Sequence, residues 1–496
     1  MTTLTNVGVN FPDDKDFRAT WTHQTIGLKA LRRNPIMLTD AYNLSHQNLK
    51  INTDWEVSHM YNRSKPMILF GLLEIINNIL DTRINMSMID EAEFHANRMG
   101  LQFPREIWER VAKECNGYIP LEIQIVPEGT YCPVGTPFAQ IRNTVKGFGE
   151  MVSWFEGELM HAYFPSTTAT QALRMRRYLE QKKRQYGYDD SFMFRLHSFG
   201  FRGHRSLEDA YWAGISWNLF LYGTDDFHTA VHTPMAKNIV SISASAHKVV
   251  QQFDDEFEGY KYRIKATADA GEKILSEVID TYDAYRVIKE FLIPLAQYAL
   301  RFGIRLVLRP DSGDTWEQAV EIYRIVERAG LTNIAVIIGE SMDFENVKKA
   351  DAYFEQHGVP LNFISYGVGG GFYNYANRDT LGWAMKTAYS NGKDRMKFSE
   401  NPIKRSIPGA VALYRNEYND LVVGKEDSVK EGNLFETIYF HDALSNQPIM
   451  KKYSDEHWLS VQATALAADT EQATIYVSEE VRAEIVEFQR RYRNRV

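Results

Sequence analysis

The stretches IRLVLRPDSG (304–313), NIAVIIGE (333–340) and NFISYGVGGG (362–371) decide the fold class of this chain. Each opens as a short apolar run and ends in polar or glycine residues. Between them lie amphipathic stretches, Trp316 to Ala329 and about Phe344 to His357. Apolar strands that do not alternate, separated by helical periodicity, predict parallel βα units with a sheet covered on both faces. NIVSISASAH (238–247) reads as a further buried strand of the series. The polar ends Arg309–Gly313, Gly339–Asp343 and Gly367–Gly371 fall where α/β folds place ligands, at the carboxyl ends of strands.

Away from that region the pattern changes. LEIQIVPEGTYCPVGTPFAQIRNT (121–144) alternates between apolar and polar residues and carries Pro and Gly turns, which predicts a small β-rich part. Residues 150–190 read as helical, and the basic run Arg174–Arg184 as a solvated helix face. The end of the chain, SEEVRAEIVEFQRRYRNRV, begins with acids and finishes with bases, as suits a helix and its dipole.

Composition removes several classes. The chain has 496 residues, 44% hydrophobic and 24% charged, enough for two or three ordinary globular domains. A net charge of −8 argues against general binding of nucleic acid or anionic membrane, while leaving room for a local basic pocket. Two cysteines, Cys115 and Cys132, make neither a disulfide framework nor a zinc cluster and fit a reducing compartment. No signal peptide is visible, and apolar runs such as FLIPLAQYAL are too short for a span of about 20 residues. A cytoplasmic location is expected.

The chemistry-bearing residues are read against plainer alternatives. HSFGFRG (197–203) followed by GTDD (223–226) offers ring faces at Phe199 and Phe201, a donor fork at Arg202 and an acceptor at Asp225. Those are the groups a flat heterocyclic amide needs, although FGFRG also reads as a strand entering a glycine turn. GVGGG (367–371) is either a phosphate cradle or a plain strand-end turn, and matches neither GxGxxG nor the Walker spacing. RPDSGD (309–314) suits a pyrophosphate, a ribose hydroxyl or magnesium, or equally an ion pair capping the next helix. Asp280 and Asp283 are caps or metal ligands, and His247 a structural or a catalytic imidazole.

Taken in order, TDAYNLSH (39–46), Arg63, SWFE (153–156), YFPSTTAT (163–170), HSFGFRG, GTDD, ASAHK (244–248), SEVIDTYDAY (276–285), RPDSG, GESMD (339–343), GVGGG with NRD (377–379), MKTAYSNGK (385–393) and KRS (404–406) resemble the nicotinamide phosphoribosyltransferases of the type II phosphoribosyltransferase family. The resemblance runs from about residue 34 to at least 425. It implies an α/β fold, an irregular (β/α) barrel with a flanking β-rich domain. The divisions expected are an N-terminal extension (1–33), a β-rich and helical flanking domain (34–190) whose part 34–65 joins a dimer-shared site, a barrel (191–425) and a C-terminal segment (426–496) packing on the flanking domain.

The resemblance also implies an activity: transfer of the 5-phosphoribosyl group of phosphoribosyl pyrophosphate to nicotinamide, in a magnesium-using homodimer of NAD salvage. Phe199 and, from the partner subunit, Tyr42 would sandwich the pyridine, with Asp225 on the carboxamide and Arg202 at the ring rim. Gly369 and Gly370 would lie around the 5-phosphate, Gly339 and Glu340 on the ribose, and Arg309, Asp311, Asp280 and Ser276 at the pyrophosphate, ribose and magnesium end. Arg63, Arg378, Lys386 and Lys404 would gather phosphates. His247 would carry a phosphoryl group from ATP, a stimulating co-substrate. Two positions depart from the family pattern: Ala246 stands where glutamate usually precedes the histidine, and Glu340 where aspartate is usual. The alternatives are a nicotinate phosphoribosyltransferase or a non-catalytic dimeric relative. A dinucleotide oxidoreductase is disfavoured, because no GxGxxG opens a helix after a first strand.

Overall fold

The computed structural model describes residues 34–493, apart from 50–51, 230–238, 340–341, 400, 402–403, 453 and 471–473. The chain forms two compact units. One comprises Met1–Ala162, Gly382–Ser454 and Asp469–Val496; the other comprises Tyr163–Leu381 and Asp455–Ala468.

The first unit is built on an antiparallel sheet. Its seven strands are β1 (Glu56–Tyr61), β3 (Leu121–Ile125), β5 (Pro137–Asn143), β13 (Ala384–Ser390), β14 (Lys393–Asp394), β17 (Glu436–Phe440) and β18 (Ile449–Met450), in the order β14-β13-β1-β5-β3-β17-β18. Every neighbouring pair is antiparallel. The alternation seen in LEIQI holds in β3, where Leu121, Ile123 and Ile125 are buried between half-buried Glu122 and Gln124. The short pair β2 (Met67–Ile68) and β4 (Tyr131–Cys132) stands beside it in the chain, and β15 (Val411–Arg415), β16 (Leu421–Lys425) and β19 (Ile475–Val477) form a third sheet. Cys115 and Cys132 are free and buried, and burial pushes both thiols up.

The second unit carries the predicted parallel sheet. Its strands are β6 (Leu196–Ser198), β7 (Gly223–Thr224), β8 (Ser243–Ala244), β9 (Ile274–Val278), β10 (Arg305–Arg309), β11 (Ile334–Ile338) and β12 (Ile364–Val368), in the order β7-β6-β12-β11-β10-β9-β8. All ladders are parallel. The sheet curls until Val240, just ahead of β8, bridges Gly223 of β7, with Thr224 N–H donating to the Val240 carbonyl at 3.0 Å. On the concave side Val307, Ala335 and Ile337 form an apolar cluster against which Phe199 and Ile242 pack. The next residues along each strand point to the other face, toward the covering helices.

Those helices start where the sequence marks them. Asp314 caps the helix Thr315–Arg328 by accepting from Glu317 N–H at 2.9 Å, and Asp343 caps Phe344–Gln356 by accepting from Asn346 N–H at 2.8 Å. The expected strand over 238–247 is shorter than its apolar pattern suggests, and residues 230–238 lie outside the described residues. Within that stretch Ser243–Ala244 form the ladder with β9, and Val240 makes the isolated bridge to Gly223. Around them the serine hydroxyls of Ser241, Ser243 and Ser245 donate to Asp225, Glu272 and Glu277, carboxylates 16, 29 and 32 residues away in the chain. Among the described residues no helix is long and apolar enough to cross a membrane.

Candidate active site

The carboxyl ends of β6 to β12 bring most of the barrel-side candidates together. At the end of β6, Phe199 N–H donates to the Val368 carbonyl at 2.8 Å, which ties the ring's backbone to β12. The ring is let in by Gly367: a Cβ there would stand 2.1 Å from Phe199 Cε2. A Cβ at Gly339 would touch the same ring at 3.9 Å and Asp311 Oδ1 at 3.4 Å, so Phe199, Gly339 and Asp311 share one neighbourhood. After Gly200 the chain makes a tight turn, Phe201–Gly203, with Arg202 exposed on it.

Adjacent carboxylates at β7 have opposite fates. Asp225 is exposed, with its N–H donating to the Ser198 carbonyl at 2.9 Å and its Oδ1 accepting from Ser241 Oγ at 2.6 Å. Asp226 is buried and accepts from Ser198 Oγ at 2.7 Å and from Phe201 N–H at 2.9 Å. Burial raises its pKa, and those two donors pull the other way.

The other rim carries the charged set. His247 opens a short helix, with Nδ1 3.0 Å from Thr281 Oγ1 and Nε2 3.6 Å from Asp311 Oδ2. Arg309, the last residue of β10, reaches the Ser245 carbonyl at 3.4 Å, and its Nε is buried without a partner. Asp280 accepts from Ser312 Oγ through one oxygen, and its other oxygen is buried and unpartnered. Asp283 instead caps the turn Ala284–Arg286, accepting from Arg286 N–H at 3.0 Å. Ser276 is buried in β9, where its carbonyl accepts from Ser245 N–H at 2.8 Å. Beneath them Glu277 accepts from Arg263 Nε at 2.8 Å and from Ser245 Oγ at 2.5 Å; burial raises its pKa against the pull of Arg263. Two unpartnered buried polar atoms on opposite charges, at the mouth of a parallel barrel, mark a place where an anion and a hard cation would both be satisfied.

Residues 194–401 match the model of the nicotinate phosphoribosyltransferase (NAPRTase) family. The chain is an enzyme of the phosphoribosyltransferase family. A nicotinamide phosphoribosyltransferase of Xanthomonas campestris pv. campestris is 26% identical over 379 residues, covering 71% of this chain and 80% of that one. One of Mycoplasma genitalium is 24% identical over 429 residues, covering 74% of this chain and 92% of the relative. The crystal structure of human nicotinic acid phosphoribosyltransferase superposes with a TM-score of 0.63 at 16% identity, covering 90% of this chain and 99% of that one, a likeness of fold.

Not every expected residue of this phosphoribosyltransferase falls in the barrel unit. Tyr42, Arg63, Lys386 and Lys404 belong to the first unit. Tyr42 is 56% exposed, its ring 5.2 Å from that of His46. Arg63 Nε donates to the Gly382 carbonyl at 3.1 Å, Lys386 Nζ reaches the Met385 carbonyl, and Lys404 is exposed. Within the barrel unit Arg378 is exposed and bonds Asp379 at 2.9 Å, while a Cβ at Gly369 would meet nothing within 4 Å. Gly370 begins the short helix Gly370–Tyr373, and a Cβ on it would lie 3.5 Å from Gly203 Cα. Glu340 lies outside the described residues.

Ser198, Asp226, Tyr373 and Thr281 escaped the sequence reading, and Gly367 entered it as part of GVGGG and not as the seat of Phe199. Gly367 had a visible signal, a glycine in an apolar strand, which marks a close approach. The others had none, because their partners are 25 to 175 residues away.

Proposed function

We propose that this phosphoribosyltransferase moves the 5-phosphoribosyl group of phosphoribosyl pyrophosphate to nicotinamide, giving nicotinamide mononucleotide and pyrophosphate. One observation carries the choice of pyridine: the exposed carboxylate of Asp225, its amide bonded to the residue just before Phe199. A carboxamide can donate to that carboxylate. Nicotinate would set a second negative charge against it, at a cost that grows as water leaves. The names of the Xanthomonas and Mycoplasma relatives support the same pyridine.

In the reaction the C1–O bond to pyrophosphate breaks and its electron pair leaves with the diphosphate. The lone pair of the pyridine nitrogen forms the new C1–N bond. That nitrogen carries no proton, so no general base is needed. Phe199 aligns the ring on one face, and Tyr42 of a second subunit of a homodimer is assigned the other. Arg309 faces the charge that grows on the leaving group, with Arg63, Arg378, Lys386 and Lys404 as further phosphate contacts, several contributed across the dimer. Asp280 and Asp311 offer hard oxygen donors. Two carboxylates plus substrate phosphates are a usual magnesium environment, and among the described residues no group of three or more His, Cys, Asp or Glu would hold an ion alone. Magnesium, when bound, supplies Lewis-acid neutralisation of the diphosphate.

The test is product analysis with phosphoribosyl pyrophosphate, magnesium and either pyridine. Nicotinamide is expected to be favoured by about tenfold or more in kcat/KM, the ratio that roughly 1.4 kcal/mol of like-charge repulsion produces. Asp225→Ser should shrink that ratio, and faster consumption of nicotinate by the parent enzyme would overturn the reading.

ATP is assigned the role of stimulating co-substrate. Its γ-phosphoryl group would pass to His247 with release of ADP, and water would later remove it. The Thr281 contact orients the imidazole, and the glutamate position before it holds Ala246. His247→Ala is expected to abolish stimulation by ATP and keep part of the basal synthesis; the measurement is initial rate with and without ATP. Stimulation that survives in this variant would remove His247 from the role.

A further inference from the structure

Ser198 Oγ lies 2.7 Å from Asp226 Oδ2 and 2.7 Å from the hydroxyl of Tyr373. An ionised carboxylate only accepts, so the single serine proton goes to Asp226. Tyr373 must then donate to Ser198, and the three groups form a directed chain, Tyr373 to Ser198 to Asp226. The other oxygen of Asp226 accepts from Phe201 N–H at 2.9 Å. All three side chains are buried, and His228 is the nearby group whose charge favours the ionised form of Asp226. A buried carboxylate whose hydrogen bonds come from a hydroxyl and a backbone N–H is costly.

The chain joins the two halves of the proposed site. Asp226 and Ser198 hold the turn that presents Phe199 and Arg202 to the pyridine. Tyr373 ends the short helix that Gly369 caps and Gly370 opens, the two residues assigned to the 5-phosphate. The two turns also touch directly. A Cβ on Gly200 would stand 2.5 Å from Tyr373 Cε2, one on Gly203 would stand 3.0 Å from Gly370 Cα, and Asn374 Nδ2 donates to the Gly203 carbonyl at 3.1 Å. Neither turn can shift without the other.

We propose that Asp226, Ser198 and Tyr373 are positioning residues that couple the pyridine turn to the phosphate turn, so that occupancy of the phosphate side tightens binding of the pyridine. The proposal rests on the phosphoribosyltransferase reading above, and its test is arranged to separate the two.

Nicotinamide and, separately, nicotinate are titrated by calorimetry into the full chain without and with saturating ribose 5-phosphate. The parent is expected to bind its preferred pyridine about five- to a hundredfold more tightly with ribose 5-phosphate present, the usual range for coupled sites. Tyr373→Phe, which removes one hydroxyl, and Asp226→Asn, which keeps shape while placing an NH2 toward a donor, both interrupt the directed chain, and the quantity read is the ratio of affinities with and without ribose 5-phosphate rather than either affinity alone. Their enhancement ratio should fall toward one. A purely structural role would instead weaken both ligands alike and leave the ratio in place, and that result would overturn the proposal. So would a parent ratio of one. If nicotinate binds and nicotinamide does not, the substrate assignment fails while a surviving ratio with nicotinate keeps the coupling.

Discussion

Gly367→Ala is expected to lower kcat/KM for the pyridine by about a hundredfold or more. The added methyl would stand 2.1 Å from Cε2 and 2.2 Å from Cδ2 of Phe199, far inside contact distance. The ring packs against Val307, Ala335 and Ile337, so a retreat toward that side is opposed. Overpacking of this kind costs roughly 1–3 kcal/mol, and displacing an aligning group by about 1 Å can cost a further 10²-fold. The backbone of Gly367 is not in the left-handed region, so the whole effect belongs to the ring. Steady-state kinetics against each substrate checks this, and the loss should fall on the pyridine rather than on phosphoribosyl pyrophosphate. Two neighbours act as controls. Gly339→Ala meets Phe199 only at 3.9 Å and should be milder, and Gly369→Ala meets nothing within 4 Å. In a Phe199→Ala background, Gly367→Ala should cost little more, since the ring it displaces is gone. Full activity in Gly367→Ala would mean that Phe199 does not grip the substrate where it lies.

The second large effect concerns the fold. Asp351→Ala is expected to destabilise the barrel unit by about 3–5 kcal/mol, the usual consequence of leaving a buried charge without its partner. Asp351, on the helix Phe344–Gln356, is 0% exposed and takes both arms of Arg195, at 2.8 and 3.0 Å. It also accepts from Tyr178 at 2.9 Å and from Tyr366 at 2.7 Å. Arg195 in turn donates through Nε to the Ile364 carbonyl at 2.9 Å. One carboxylate thus joins the long helix Tyr163–Tyr186, the approach to β6, strand β12 and a covering helix. Burial alone would lower the pKa of Arg195, and Asp351 with Tyr366 more than reverses it. The urea midpoint followed by circular dichroism measures the loss. Asp351→Leu combined with Arg195→Met should recover part of it, because replacing both members leaves no orphaned charge. An unchanged midpoint in Asp351→Ala would show that the network adds nothing to stability.

Much of the barrel was legible because its signals are local. The runs at 305–309, 334–338 and 364–368 are strands, and the helices between them begin at Asp314 and Asp343, caps that act within three residues. The polar residues that follow these strands do gather at one end of the sheet. The strand expected over 238–247 is shorter than its apolar pattern, with Ser243–Ala244 alone in the ladder with β9. GVGGG reads as a phosphate cradle or a strand-end turn, whereas its first glycine serves an aromatic ring 168 residues earlier in the chain and only Gly369 and Gly371 stand open.

The amino-acid order by itself determined the parallel βα series, the helix starts and the rim on which chemistry would sit, because periodicity and capping are set by neighbours a few residues apart. It could not divide equivalent residue types between roles. Asp225 faces solvent and a serine while Asp226 is buried under a turn, and Asp283 caps while Asp280 keeps an oxygen free. Those assignments, like the seating of Phe199 over Gly367, depend on which distant strand ends meet. Only chain closure in three dimensions decides that, because the packing that selects each partner acts between segments with no sequence proximity.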